Sequence, residues 1–484
     1  MKGPSPAGLT LCAALLAGLL AVGARAHGEE PLQELPGVVH VHTTVSSGDT
    51  GLGDLVKMAQ ELGLEALVVT DHDRVVMEYG LYPFQGVLSK KESRPSVATY
   101  GAERYLDDIT RINREQKEVV VVPGVQCSPF YYWTGNLLSG LTAHDFRKEL
   151  LIIGMEEPAD YDGIPEIHGS LSLRNFGKLW PRSLLFALPL AAGLFLVSRK
   201  GRRQKAWGTA LCLVGAGLAV SNHPFSATGY DAYHGDQGIA PFQETITWAE
   251  RHGGLVFWAH PESSYSHRGV KMGPVTLQTR KHPEALLASR GTTGFCALYG
   301  DTTQAEQPGR EWDRALAEYC RGEREKPVWA IAEADWHDQA QGMALDDLAT
   351  FFLVRQKSVA GVLEALSAGR TYAIRKTGKS GLRLSGFLAK DPETGKGAGM
   401  GGTLSSGEQV EISGTVTASD GGSYPVEGLV VKDGAPWKSF AGTTPQPFSF
   451  TDEAGPGCSF YRLLVKGQGA QRLVSNPVFV RRAM

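Results

Sequence analysis

Histidines and acids in this chain gather in short clusters, each close behind an apolar run. His40 and His42 follow Gly37-Val38-Val39, and Asp71 and His72 follow Leu67-Val68-Val69. Gln126 ends the run that begins at Val119, His260 follows Leu255 to Ala259, and Asp335 and His337 follow the run Val328 to Ala332. Neutral imidazole and carboxylate suit zinc, manganese or iron, and two or three such ions together generate hydroxide and clamp an in-line displacement. A His-x-His pair on an extended strand sends both rings to one side, so both reach one ion. The pair alone is a weak signal; five strand ends delivering such residues in order is a strong one.

The elements that must position them alternate along the chain. The segment 53–64 places Leu55, Met58, Ala59 and Leu62 on one helical face, and the β-rich run Glu65 to Thr70 follows. The same alternation returns in "ETITWAERHGG", "LVFWAHPE" and "KPVWAIAEADWHD". Strand-helix repetition of this kind predicts a parallel α/β sheet or barrel, and in a barrel the carboxyl ends of the strands share one face where catalytic residues collect. From about Ser380 the helical period disappears and Gly, Ser and Thr separate short alternating runs, predicting a β-sandwich over 380–484, a module for packing or for a protein partner.

With 484 residues, 42% hydrophobic and 20% charged, the chain has material for two or three globular domains. A net charge of −3 offers no basic field, which argues against a nucleic-acid partner. Residues 1–26 read as a signal peptide: Lys2, an apolar run, then a small-x-small end at Ala26. In mid-chain, two apolar runs, Trp180–Ser198 and Ala206–Ser221, flank the basic stretch Arg199–Lys205. Each run is near the lower limit of roughly 17 to 25 residues that span a bilayer. A transmembrane hairpin over 179–221 is the expectation, its basic tip cytoplasmic and both flanks on the periplasmic or extracellular side. Cys127, Cys296, Cys320 and Cys458 fall at irregular spacings that leave their pairing open.

The motifs "HVHTT", "TDHD", "PGVQCS", "WAHPE" and "EADWHD" resemble the successive motifs of the PHP family, the polymerase and histidinol phosphatase superfamily. The resemblance covers about Leu35 to Ala373 and implies a distorted, TIM-like (β/α)7 barrel over 35–178 and 222–378, interrupted by the hairpin. It implies one to three divalent ions, zinc, manganese or iron, and hydrolysis of a small-molecule phosphoester by a metal-bound hydroxide. Carried over position by position, His40, His42 and Asp335 serve one metal, His72 and His337 another and His260 a further one. Asp335 and His337 are also the catalytic candidates, and Asp71 is expected to orient a neighbouring imidazole.

Three departures from the family pattern bear on this. Gln126 stands where a bridging glutamate is usual. Ser47 replaces an acid, with Asp49 as the substitute. A further histidine is missing near "ELLIIG", with His144 slightly preferred over Glu149 to stand in for it. Among weaker signals, His234, Asp236, His267 and Arg268 are candidates for substrate contact, and the aromatics Phe130 to Trp133 for packing or for a substrate wall. The sequence thus points to an exported, membrane-anchored metal-dependent phosphoesterase, with a catalytically degenerate ligand-binding or sensor module as the alternative.

Overall fold

The computed structural model describes residues 32–338, 342–378 and 380–482, so the signal peptide expected over 1–26 lies outside the described residues. Seven short, mostly buried strands carry the clusters: β1 (Gln33–Val41), β2 (Ala66–His72), β3 (Val120–Cys127), β4 (Leu150–Ile153), β5 (Leu255–Trp258), β6 (Gly294–Leu298) and β7 (Trp329–Ala332). Between them run α1 (Leu52–Glu61) after β1 and α2 (Ala102–Glu115) after β2. The paired helices α3 (Phe176–Val197) and α4 (Arg202–Ser221), then α5 (Ala240–Arg251), follow β4, and α6 (Glu311–Cys320) follows β6.

Neighbouring strands pair in chain order, parallel except around β4, which runs antiparallel to both β3 and β5. The expected all-parallel arrangement therefore fails at one strand. The reason is local: no helix returns the chain from β3 to β4; instead the excursion Tyr132–Asn136 and Gly140–His144 does, delivering it from the opposite end. Beyond β7 the chain returns to β1. Ala334 N donates to Val39 O (2.9 Å), Trp336 N to His40 O (3.1 Å) and His42 N to Trp336 O (2.9 Å), which ties the last strand to the first.

Alternation along the strands divides their side chains in two. Val38, Leu67, Val121 and Val256 face outward and pack with Leu55, Ile109, Ile246 and Leu316 of α1, α2, α5 and α6. Val39, Val68, Val122, Leu151, Phe257 and Ile331 form a second core with Val362, Ala365 and Leu366 of α7 (Val359–Ser367), which lies under the amino ends of the strands. The same inward series continues upward as Thr70 and His72 on β2 and Gly124 and Gln126 on β3, paired His72 to Gln126. Core and candidate ligands thus share one register.

The C-terminal region is not a detached sandwich. Residues Gln33–Gly37 of β1 pair with β8 (Leu348–Val354), β8 pairs with β9 (Thr371–Arg375), and β9 pairs with Arg472–Ser475. One layer of the C-terminal sandwich is therefore a continuation of the ring's own sheet. The other layer comprises Gly397–Gly399, Leu382–Lys390, Gln409–Ala418 and Gln446–Glu453. Leu384, Ile412, Val416, Val430 and Leu463 fill the space between. The unit also docks on α6: a disulfide joins Cys320 to Cys458, and Arg462 donates to both carboxylate oxygens of Asp313 at 2.6 and 2.7 Å.

Helices α3 and α4 pack on each other through glycine. A Cβ on Gly215 would come within 2.3 Å of Leu190 N, and one on Gly193 within 2.6 Å of Cys212 N, so the backbones touch. Most of the other side chains face outward, including Leu185 (66% exposed), Phe195 (57%) and Leu213 (71%). Among the described residues α3 alone is long and apolar enough to cross a membrane. The second expected span differs from its sequence reading: Arg202, Arg203 and Lys205 belong to the first turns of α4 and not to a connecting loop.

The Asp313–Arg462 pair is almost fully buried. Replacing Asp313 by Ala leaves the guanidinium charge without its partner and should cost about 3–5 kcal/mol, read as a lowered urea midpoint of the full chain.

Candidate metal centre

The ring's carboxyl ends carry backbone that the strands themselves cannot supply. His40, His260 and Asp335 adopt positive φ values of 68°, 26° and 46°, and the β1–β2 register slips between Val39 and Val41. Left-handed backbone at residues other than glycine costs about 1–3 kcal/mol each and is retained where surrounding contacts over-determine it. His40 and His42 therefore do not converge by lying on an extended strand, as their spacing suggested. They converge because a bulge at His40 turns its ring toward that of His42, with centroids 5.1 Å apart.

Three imidazoles meet one oxygen. Asp335 Oδ1 lies 3.3 Å from His40 Nε2, 3.5 Å from His42 Nε2 and 3.3 Å from His337 Nε2. The Nε2 atoms of His40 and His42 are 3.2 Å apart. The opposite nitrogen of each ring is already engaged. His40 Nδ1 donates to Glu333 Oε2 at 2.6 Å, and His337 Nδ1 pairs with Ser47 Oγ at 2.9 Å. His42 Nδ1 lies 3.2 Å from Ser46 Oγ, and that hydroxyl donates to Asp71 Oδ1 at 2.6 Å, so it accepts from His42. Protons on the Nδ1 side leave Nε2 lone pairs converging with a carboxylate oxygen. Such a set repels itself unless a cation sits among it, which is the donor chemistry of a divalent metal.

Asp71 acts here at one remove from the imidazole. It accepts from Thr43 N and Thr43 Oγ1, both at 2.8 Å, and so holds the 43–46 turn that presents Ser46 to His42. Glu333 was not singled out from the sequence, although it stands two residues before Asp335. One of its oxygens takes His40 Nδ1 and the other takes His260 Nδ1 at 3.1 Å and His260 N at 2.7 Å. The far nitrogen of His260, Nε2, faces Glu149 Oε2 at 2.8 Å. Glu149, not His144, is thus the residue brought to the centre. His144 lies in the side sheet, stacked on Tyr132 at 4.8 Å and paired with Thr134 Oγ1.

The remaining candidates sort by position. His72 sits 4.6 Å from His42 between ring centroids, and Gln126 beside it is buried with its Oε1 lacking any hydrogen-bond partner, an acceptor aimed into the site. Ser47 lines the cavity, whereas Asp49 is exposed and its carboxylate accepts from Thr50, so it does not replace the missing acid. His234 is held by Asp231 (2.6 Å) and Arg182 (3.1 Å) near the foot of α3, and Asp236 closes a turn onto Gly238 N. Neither they nor His267 and Arg268 line the cavity over the centre. All four were read from polarity in loops, which does not fix where a loop goes. Tyr131 and Trp133 do line that cavity, while Phe130 is core.

Electrostatics follow the geometry. Burial pushes His42 and His72 down to about 3, the neutral state that ligation requires. Burial would raise Glu333, but His260 and His40 outweigh it and hold Glu333 down at about 2. Burial likewise opposes ionisation of Asp335, and the neighbouring imidazoles, His40 foremost, hold it well below the carboxylate range. A further buried trio joins Asp73 and Cys127, the residues next after His72 and Gln126, with Glu166 from the loop beyond Pro158–Asp162, and Arg74 Nε donates to Glu166 at 2.5 Å.

Residues 39–160 match the sequence profile of the PHP domain. The chain carries a PHP domain. The matched span includes His40, His42, His72, Gln126 and Glu149, and the PHP domain thus supplies the first half of the centre. No curated protein matches the chain. Among solved structures, a two-domain protein from Bacteroides vulgatus with a proposed PHP-like metal-dependent phosphoesterase is 12% identical, covering 91% of this chain and 95% of its own, at a TM-score of 0.36. A proposed metal-dependent phosphoesterase from Bifidobacterium adolescentis is 14% identical, covering 62% and 87%, at a TM-score of 0.28.

Because Glu333 orients two imidazoles, Glu333→Gln should weaken divalent-metal affinity by about 10- to 100-fold in a chelator competition, with the circular dichroism spectrum unchanged. A separate pH effect comes from His168, on the cavity wall, which accepts or donates at Tyr131 Oη (2.8 Å) and is pushed down to about 3 by burial and by Lys91 and Arg74. The unfolded chain then binds one more proton than the folded one between about pH 6.5 and 3, so stability falls as pH falls through that window, by at most about 1.4 kcal/mol per unit. His168→Gln should remove that share of the slope in urea midpoints measured from pH 7 to about 4.

Proposed function

We propose that this chain is a membrane-anchored, metal-dependent phosphoesterase whose PHP-type centre is held by His40, His42, His72, His260, Asp335 and His337. The observation that carries this reading is the convergence of three Nε2 atoms on Asp335 Oδ1 with every opposing Nδ1 engaged. Glu149 beside His260 Nε2, and Gln126 beside His72, are the donors for any further ion. A bound divalent cation supplies Lewis acidity at the phosphoryl oxygens and lowers the pKa of water. The protein's own part is to keep His42 and His72 neutral, to fix the imidazoles' orientation through Glu333, Ser46 and Ser47, and to place Arg147 and Arg280 on the cavity wall as positive charge for an ester phosphate. The seven strands serve as the distorted (β/α)7 barrel of this family.

The same reading places α3 and α4 in the bilayer as a hairpin. The stretch from Arg199 through Lys205, where α3 ends and α4 begins, carries only positive charge, which sets it on the cytoplasmic side and the catalytic ring outside. The Cys320–Cys458 disulfide supports an oxidising compartment for that ring. Gln126 and Ser47, neutral where the family pattern has acids, favour the second reading, a ligand-binding module with a reduced metal set.

Elemental mass spectrometry of the full membrane-purified chain, beside a His40→Ala, His42→Ala control, tests the proposal together with assays on phosphomonoesters and phosphodiesters. Stoichiometric zinc, manganese or iron that is lost in the control, with hydrolysis lost alongside, is the expected result. Metal without turnover on any ester would move the assignment to the binding module, and no metal after reloading would remove both.

A further inference from the structure

Above the centre stands a cavity of about 1360 Å³, larger than the roughly 300–1,000 Å³ that usually suffices for a small ligand. Its floor is the cluster of His72, Gln126, Glu149, His260, Asp335 and His337. Its walls carry charge at Lys90, Glu92, Arg94, Arg147 and Arg280, and beside it a broad apolar area. The strand pair Val75–Gly80 and Ser89–Arg94 rises on one side, and on another the small sheet Val270–Met272, Val275–Gln278, Gly140–His144 and Tyr132–Asn136. These elements turn Met77, Tyr79, Trp133, Leu141 and Leu277 toward it, and Phe146, just past Gly140–His144, joins them. A phosphate needs none of that surface. At the rim, Leu137 is 67% and Met272 40% exposed, apolar side chains left in water by the free protein.

The wall is also fastened to the helices that leave the body. Between its two strands, the turn 81–88 is bolted to the end of α4: Gln85 Nε2 donates to Ser221 O (2.9 Å), Gly86 N to Ser221 Oγ (3.1 Å), and Asn222 Nδ2 to Pro83 O (2.9 Å). On that turn Leu81, Tyr82, Val87 and Leu88 are each about half exposed, at 49, 46, 53 and 53%. A wall strand therefore runs from an apolar, outward-facing turn at the root of α3 and α4 directly into the cavity. Exposed apolar groups clustered in this way mark a surface that meets something apolar.

Resting on the phosphoesterase reading, we infer that the substrate is an amphiphile: a phosphate ester whose alcohol is a long apolar group, with the phosphate on the metal floor and the apolar body along the Met77 to Leu277 walls. Its source is the bilayer next to α3 and α4. In the reaction the oxygen of water bonds to phosphorus, the bond from phosphorus to the ester oxygen breaks, and the alcohol leaves with a proton from the water. Inorganic phosphate, or a phosphomonoester when the substrate is a diester, is the other product.

The test uses the full chain, loaded with metal, in lipid nanodiscs, and compares ethyl, butyl and octyl phosphate in solution with hexadecyl phosphate held in the disc. The expected result is a rise in kcat/KM of about tenfold or more from ethyl to octyl phosphate, and cleavage of the hexadecyl ester. In the double variant Met77→Gln, Met272→Gln, which makes the proposed apolar wall polar, the rise in kcat/KM from ethyl to octyl phosphate should flatten. Turnover that is flat or falls with chain length overturns this inference and leaves the phosphoesterase reading standing. Cleavage of octyl but not hexadecyl phosphate overturns the bilayer as source. If no ester is cleaved, the phosphoesterase reading fails, and calorimetric binding of octyl over ethyl phosphate then decides whether the apolar cavity survives as a binding site.

Discussion

Glu333 sits without solvent contact at the end of β7 and spends both carboxylate oxygens on imidazoles from other strands, His40 on β1 and His260 just past β5. A buried carboxylate is tolerated only when its charge is answered, and here the two rings answer it. The consequence reaches outward. With Nδ1 of each ring held, Nε2 is forced toward the middle of the ring of strands, and Asp335, two residues further along, meets His40, His42 and His337 there. The backbone hydrogen bonds that close β7 onto β1 run through the same residues, Val39, His40 and His42 against Ala334 and Trp336. Closure of the ring and assembly of the centre are one event.

Much of this was legible in the sequence because a strand end has a fixed meaning. When an apolar run stops and a histidine or acid follows, the run can only be the buried part and the polar residue its rim, which is how His40, His42, His72, Gln126, His260, Asp335 and His337 were found. Where sequence reasoning failed, the deciding contact lay between distant segments. His144 outranked Glu149 on donor type, but β4 enters antiparallel, so Glu149 lies beside His260 and His144 falls in a side sheet. Glu333 gave a signal, an acid two residues before Asp335 in a buried strand, that went unread because only the later part of its motif was weighed. Asp49 was chosen by proximity in sequence, and a turn sends its carboxylate outward.

The β-rich region read from about Ser380 is hydrogen-bonded into the ring's own sheet through β9 and Arg472–Ser475. Loss of the helical period marked the change to β structure. Nothing in composition announces that β9 and Arg472–Ser475 would share hydrogen bonds, because pairing across some hundred residues leaves no local trace. The shared ladder, the Asp313–Arg462 pair and the Cys320–Cys458 bridge make the sandwich an extension of the ring wall behind α6.

The left-handed backbone at His40, His260 and Asp335 also shapes how such a centre ages over generations. Glycine or asparagine at any of these positions relaxes the main chain while deleting a donor, so loss of a ligand carries a thermodynamic reward that partly offsets the packing lost with the side chain. Loss of a ligand at these positions therefore costs less folding energy than the same loss would on relaxed, extended backbone.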